Sequence, residues 1–160
     1  MNPAVPPAVD LPEVIGMLCK ESQMIHWDDA WDMMSGVGPQ HRSDVPLLTT
    51  TIANDELPFE ARRFAFDALR RIAPDSGEVF SAAVALARSH DPLLKSQGVR
   101  ALSICGRLDP TRAAPALASV CRDSNNYVGA IASAFLALTK LVGLREAISC
   151  VKPVSGKSVE

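Results

Sequence analysis

The sequence predicts an all-α protein, a short right-handed α-α superhelix of three to four helical hairpins. Three observations predict it. Nearly every segment after residue 10 carries helical apolar spacing, no segment alternates as a half-buried strand would, and an internal repeat recurs with a period in the thirties. At 160 residues the chain is one domain of ordinary size, able to bury a core without covalent staples. Hydrophobic residues supply 48% and charged residues 21%, a globular composition rather than a disordered or fibrous one. Aromatics supply only 5%, so alanine and the aliphatic residues must fill the interior.

The elements follow in order. Residues 1–9 are proline-rich and expected to be disordered, residues 10–151 form the helical domain, and residues 152–160 form a disordered tail. Asp10 with Glu13 makes a capping box, after which Leu11, Val14, Ile15, Leu18 and Ile25 keep one apolar face. Gly36, Gly38 and Pro39 end the next short helical piece. Asp44 and Pro46 open another, running through Leu47, Leu48 and Ile52 to Asn54. A helix over 57–72 follows, and Asp75 with Glu78 caps a segment over 76–89. Asp91-Pro92 and Asp109-Pro110 each set an N-cap before a proline in the first turn, where the missing N–H costs nothing. The last long helix, Tyr127 to Val142, is nearly apolar all round with Lys140 its only charge, so it is expected to be buried. Leu144, Ala147, Ile148 and Val151 can form one more short helix over it; the alternative cover is a second copy, in a homodimer through helix 127–142.

The repeat lies in the second helix of each pair. Ala61, Ala65, Ala68 and Leu69 share a face; Leu94, Gly98, Ala101 and Leu102 match them, and so do Val128, Ala132, Phe135 and Leu136 further on. Small residues let helices approach closely, and leucine fills the space between layers. On Ala61-Arg62, Ala65 and Ala68-Leu69, preceded by a turn with Asp55, the chain resembles the HEAT-like repeats of the armadillo-like superfamily, over about residues 44–142 and more weakly 11–38. The resemblance implies a solenoid whose hairpins bury their faces by stacking. It also implies a ladder of turn aspartates and basic residues tying adjacent repeats together, with Arg62 and Lys95 in the basic position and Gly129 breaking the pattern.

Charge and motifs bound the function. Residues 1–60 hold two bases and ten acids, residues 61–160 fourteen bases and eight acids, an asymmetry that points to an electrostatic partner. The net charge of −2 and the lack of a repeated Lys/Arg track weigh against nucleic acid. The longest apolar stretch falls short of the roughly 20 residues a membrane span needs, and the N-terminus has neither a basic start nor an apolar run, so a cytoplasmic protein is expected. Cys19, Cys105, Cys121 and Cys150 form no CxxC pair, which favours free thiols over disulfide or metal. His26 with Asp29 lacks a third ligand in sequence reach, and His41 and His90 sit at helix boundaries as capping or surface residues. GxSxG, HExxH and a phosphate-cradling glycine loop are missing, so the reading is a non-catalytic module without cofactor.

Two surfaces are candidates for holding a partner. On helix 57–72, Phe59, Arg63, Phe66 and Arg70 fall together opposite Ala61 and Ala68, either as a recognition stripe or as rings packed between neighbouring helices. The corresponding positions Ser96, Val99 and Ser103, then Ala130, Ser133 and Ala137, are small and uncharged. In the run His26 to Met34, Trp27 and Trp31 share one helical face and Asp28 and Asp32 another; with Asp29 these acids are a candidate docking patch for a basic partner, and the indoles either join that site or serve as core against Leu48 and Ile52. The function expected is a protein-binding scaffold or adaptor. Two alternatives stand beside it: a dedicated inhibitor, such as a bacterial toxin immunity protein using Asp28, Asp29 and Asp32, and, more remotely, a HEAT-like DNA-modifying enzyme with Asp67 as its acid.

Overall fold

The computed structural model describes residues 9–20 and 27–152, apart from the side chains of Trp27, Asp28, Ala30 and Trp31. The expectations for the two termini, for Ile25 and His26 and for the two indoles therefore lie outside the described residues. Helices span Leu11–Lys20 (α1), Trp27–Ser35 (α2), Val45–Ala53 (α3), Phe59–Ile72 (α4), Gly77–Ala87 (α5), Pro92–Cys105 (α6), Pro110–Arg122 (α7), Val128–Val142 (α8) and Leu144–Val151 (α9). Short 3-10 turns cover Pro39–Asp44 and Gly106–Leu108. Among the described residues there is no strand, so the chain is all-α, and no helix is long and apolar enough to cross a membrane.

Helix starts are set by side chains that accept orphan backbone donors. Asp10 Oδ1 accepts from Glu13 N at 3.1 Å, and Asp91 Oδ1 accepts from Leu93 N and Leu94 N at 2.9 and 3.0 Å. Asp109 accepts from Arg112 N, and the Thr111 hydroxyl donates to the same carboxylate, which holds its pKa below the usual carboxylate value. Two expected caps differ. At α5 the cap is Ser76, whose hydroxyl accepts from Val79 N at 3.2 Å, one residue past Asp75. Asp44 makes no capping bond, because the preceding 3-10 turn runs straight into α3 and its backbone is already helical (φ −89°, ψ −4°).

The chain divides into two compact units, residues 1–82 and 83–160, with the boundary inside α5. In the first, α3 and α1 pack on α4, and Leu11, Leu48, Ile52, Ala61, Ala65 and Leu69 are buried. His41, in the 3-10 turn, ties the start of this unit: its Nε2 lies 2.9 Å from the Val9 carbonyl oxygen, and its Nδ1 lies 3.3 Å from both the nitrogen and the carbonyl oxygen of Gly38. Arg71 Nη1 donates to the Met34 carbonyl at 3.1 Å, holding the end of α2. His90 is exposed, as a surface histidine should be.

In the second unit α7 packs on α8 and α9, and α6 packs on α8. Helix α6 also presses on the last turns of α5 at Gly98. A Cβ there would collide with Ala87 N and lie 2.7 Å from Leu86 C and 2.8 Å from the Ala83 carbonyl oxygen, so only glycine permits this approach.

The internal repeat is present in the burial pattern with one correction. Ala61, Ala65, Ala68 and Leu69 are buried, as are Leu94, Gly98, Ala101 and Leu102. The third set is not Val128, Ala132, Phe135 and Leu136: Val128 is 80% and Leu136 61% exposed, and the buried set is Ala130, Ala134, Ala137 and Leu138. The spacing is thus 33 and then 36 residues. The turns mark the register. Asn54 Oδ1 accepts from Glu56 N and Asp123 Oδ1 from Asn125 N, both at 3.0 Å, so these two Asx turns are the equivalent points, 69 residues apart. Helix α8 therefore buries a single face, against the expectation of burial all round. Helix α9 forms where predicted and buries Ala147, while Leu144 and Ile148 remain exposed.

Candidate functional site

Helix α4 was the first candidate surface, and it spends its charged and aromatic residues largely on itself. Phe66 is 1% exposed and belongs to the core, so its ring does not face a partner. Phe59 is half-buried. The Arg63 guanidinium lies 5.9 Å from the Phe59 ring centroid and the Arg70 guanidinium 5.9 Å from that of Phe66. Asp67 sits 3.9 Å from Arg63 on the same side of the helix. Burial pushes the Asp67 carboxyl above its usual range, opposed by the neighbouring Arg63, Arg70 and Arg71. Of the four stripe residues, only Arg70 is exposed.

Arg62, one step round the helix, is 4% exposed. Its Nε donates to the Ile52 carbonyl at 3.0 Å, and its Nη2 lies 2.8 Å from Asp55 Oδ1. Lys95 holds the same register position one repeat later and reaches forward instead. Its ammonium donates to Asn126 Oδ1 and lies 3.7 Å from Asp123 Oδ2, in the turn that opens α8. In the third repeat the equivalent residue is Ile131 rather than Gly129, and the link reverses: the Cys121 thiol, at the position of Ile52, donates weakly to the Ile131 carbonyl at 3.8 Å. Burial raises the Cys121 thiol above its usual pKa, opposed by the neighbouring Arg122.

The second candidate surface is α2. Asp29 and Asp32 are exposed on it, and Asp28 lies on the same helix. Among the described residues no three His, Cys, Asp or Glu groups are placed to hold a metal ion, and the four cysteines are free thiols.

A third surface joins residues that the sequence presents separately. Between α6 and α8 runs a groove of about 290 Å³, half open to solvent, lined by Ser96, Val99, Arg100, Ser103, Ser133, Leu136, Ala137 and Lys140. Buried Val99 and Ala137 form its floor, and exposed Leu136 stands beside them. Arg100, Ser103, Ser133 and Lys140 are exposed on its rim. The Ser103 hydroxyl donates to the Arg100 carbonyl at 2.7 Å. Neither Arg100 nor Lys140 has an ion-pair partner among the described residues. The outward serines at 96, 103 and 133 are legible in the sequence. Arg100 is missed because it stands one residue beyond the i, i+3 outward positions, and Leu136 because the repeat register assigns it to the core. Comparisons with protein-family models, curated proteins and solved structures return no match.

Proposed function

We propose that the chain is a short HEAT-like solenoid that serves as a non-catalytic protein-binding scaffold, and that the α6–α8 groove holds a segment of its partner. One observation carries this reading: an apolar floor flanked by two cations that make no ion pair among the described residues. The recurrence of buried small residues at 65, 98 and 134, and of buried leucine at 69, 102 and 138, supports the solenoid. The groove's volume lies near the lower end of the range for enclosed ligand sites, about 300–1,000 Å³, and it is half open. A surface of that kind suits side chains projecting from a peptide or helix better than a substrate that must be shut away from water. The acidic patch on α2 supports a docking role less strongly, because it offers exposed carboxylates without an accompanying groove.

Filling the groove tests the reading. Ser133 is exposed, so Ser133→Trp should obstruct the floor while leaving the unfolding transition within about 0.5 kcal/mol of wild type. The immobilised wild-type chain is expected to retain a partner in defined stoichiometry and the Trp variant to lose it. Equal retention by both proteins moves the binding surface elsewhere.

A further inference from the structure

We infer that the segment held in the α6–α8 groove is acidic: a peptide whose carboxylates meet Arg100 and Lys140 while an aliphatic side chain lies on Val99 and Ala137 beside Leu136. The inference rests on that groove being the partner site. Every charged residue lining it is basic, and no aspartate or glutamate is among its walls to neutralise them. The surrounding unit shares the sign: residues 83–160 hold ten Lys and Arg against five Asp and Glu, whereas residues 1–82 hold six against thirteen. The field over this half of the chain therefore favours an anion before contact is made. Arg100 presents a planar fork that matches a carboxylate with two parallel hydrogen bonds, and Lys140 adds a point charge. The Ser96 and Ser133 hydroxyls can donate to peptide carbonyls along the rim.

The same lining separates a peptide from a nucleic acid. A single strand needs cations at successive phosphates and aromatic rings on which bases stack. This groove supplies two cations, no aromatic residue and an aliphatic floor, which fits acidic side chains interspersed with small apolar ones.

A phage-displayed random peptide library panned on the full-length chain tests the inference, with Ser133→Trp and the double variant Arg100→Glu/Lys140→Glu as parallel baits. Both charge positions are exposed, and helical circular dichroism verifies that each variant is folded. The expected result is enrichment of Asp- and Glu-rich sequences with aliphatic residues. As synthetic peptides these should lose affinity at least about tenfold on the double variant, and also as salt is raised. The milder Arg100→Gln and Lys140→Gln variants should each show part of that loss. Enrichment of neutral or basic peptides that Ser133→Trp abolishes and the double variant retains overturns the acidic occupant and leaves the groove as the site. Failure to enrich any peptide that Ser133→Trp loses overturns both readings. Binding of a labelled single-stranded oligonucleotide that the double variant abolishes overturns the peptide in favour of nucleic acid.

Discussion

Helix α4 and the helices α6 and α8 occupy equivalent places in the repeat, yet they treat their cations differently. On α4, Arg62 is sunk into the turn before it, Arg63 and Arg70 lie over phenylalanine rings, and Arg71 holds the end of α2. On α6, Lys95 is tied to the turn before α8, but Arg100 and, on α8, Lys140 stand in water beside an apolar floor. Among the described residues the exposed large aliphatic side chains and methionine follow the same division: Leu93, Ile104, Leu108, Val128, Leu136, Leu144 and Ile148 lie in the second unit, against Met17 and Leu47 in the first. The contrast teaches that an arginine–aromatic pattern on a helix is not by itself a binding surface. Such a pattern satisfies itself when a ring and a guanidinium lie a turn apart on one helix, because stacking and burial are then available within the chain. Cations without that opportunity remain available to a partner.

The largest expected effect tests whether α8 truly turns one face outward. Leu138 is fully buried and Leu136 is 61% exposed, although they stand only two residues apart. Leu138→Ala should cost about 2–5 kcal/mol of stability, whereas Leu136→Ala should stay within about 0.5 kcal/mol, measured by chemical denaturation. A large loss at Leu136 would mean that its face is covered in solution, and the contrast between α4 and α8 would break.

An intermediate effect sharpens the treatment of the basic repeat position. Arg62 and Lys95 are equivalent in register, but Arg62 is nearly inaccessible and its hydrogen bond to the Ile52 carbonyl is buried. Arg62→Met strands the Ile52 carbonyl and should cost about 1–3 kcal/mol. Lys95→Met removes contacts to Asn126 and the part-exposed Asp123, and should cost about 1 kcal/mol or less. The same denaturation measurement checks both, and equal losses would remove the distinction between a buried anchor and a bridging lysine.

Helix existence was legible in the sequence because caps and prolines act locally. Asp10, Asp91 and Asp109 cap where expected, and the apolar faces of α1, α4 and α6 are buried as read. The register of α8 was not legible. Its run Val128–Val142 is so rich in apolar and small residues that several faces fit the repeat equally well, and the extra residues that lengthen the repeat from 33 to 36 fall before α8, where α7 has 13 residues against 11 in α5. That two-residue slip turns Leu136 from a supposed core residue into a groove wall. The groove was illegible for a further reason: its walls depend on the corrected register, which alone brings Leu136 and Ala137 beside Val99 and Arg100. Phe66 shows the converse: the helical wheel places it outward, and its burial agrees with the alternative in which the rings pack between neighbouring helices.

The smallest expected effect concerns how completely α4 satisfies itself, and it is read through pH. Asp67 has its carboxyl raised above the ordinary value of 3.8, with burial as the largest cause and the nearby Arg63, Arg70 and Arg71 opposing it. A carboxyl raised in the folded state favours folding most when protonated, so its contribution is complete below the unfolded pKa and is lost as pH rises through the folded one. Replacing it with an amide removes that titration while keeping the shape. Asp67→Asn should therefore gain on wild type as pH climbs from below 3.8 toward neutrality, by less than either effect above. Denaturation midpoints of both proteins across that range provide the check. Should the variant instead lose ground as pH rises, the three arginines outweigh burial, Asp67 is a net ion-pair partner, and α4 holds its charges by attraction rather than by shielding them from water.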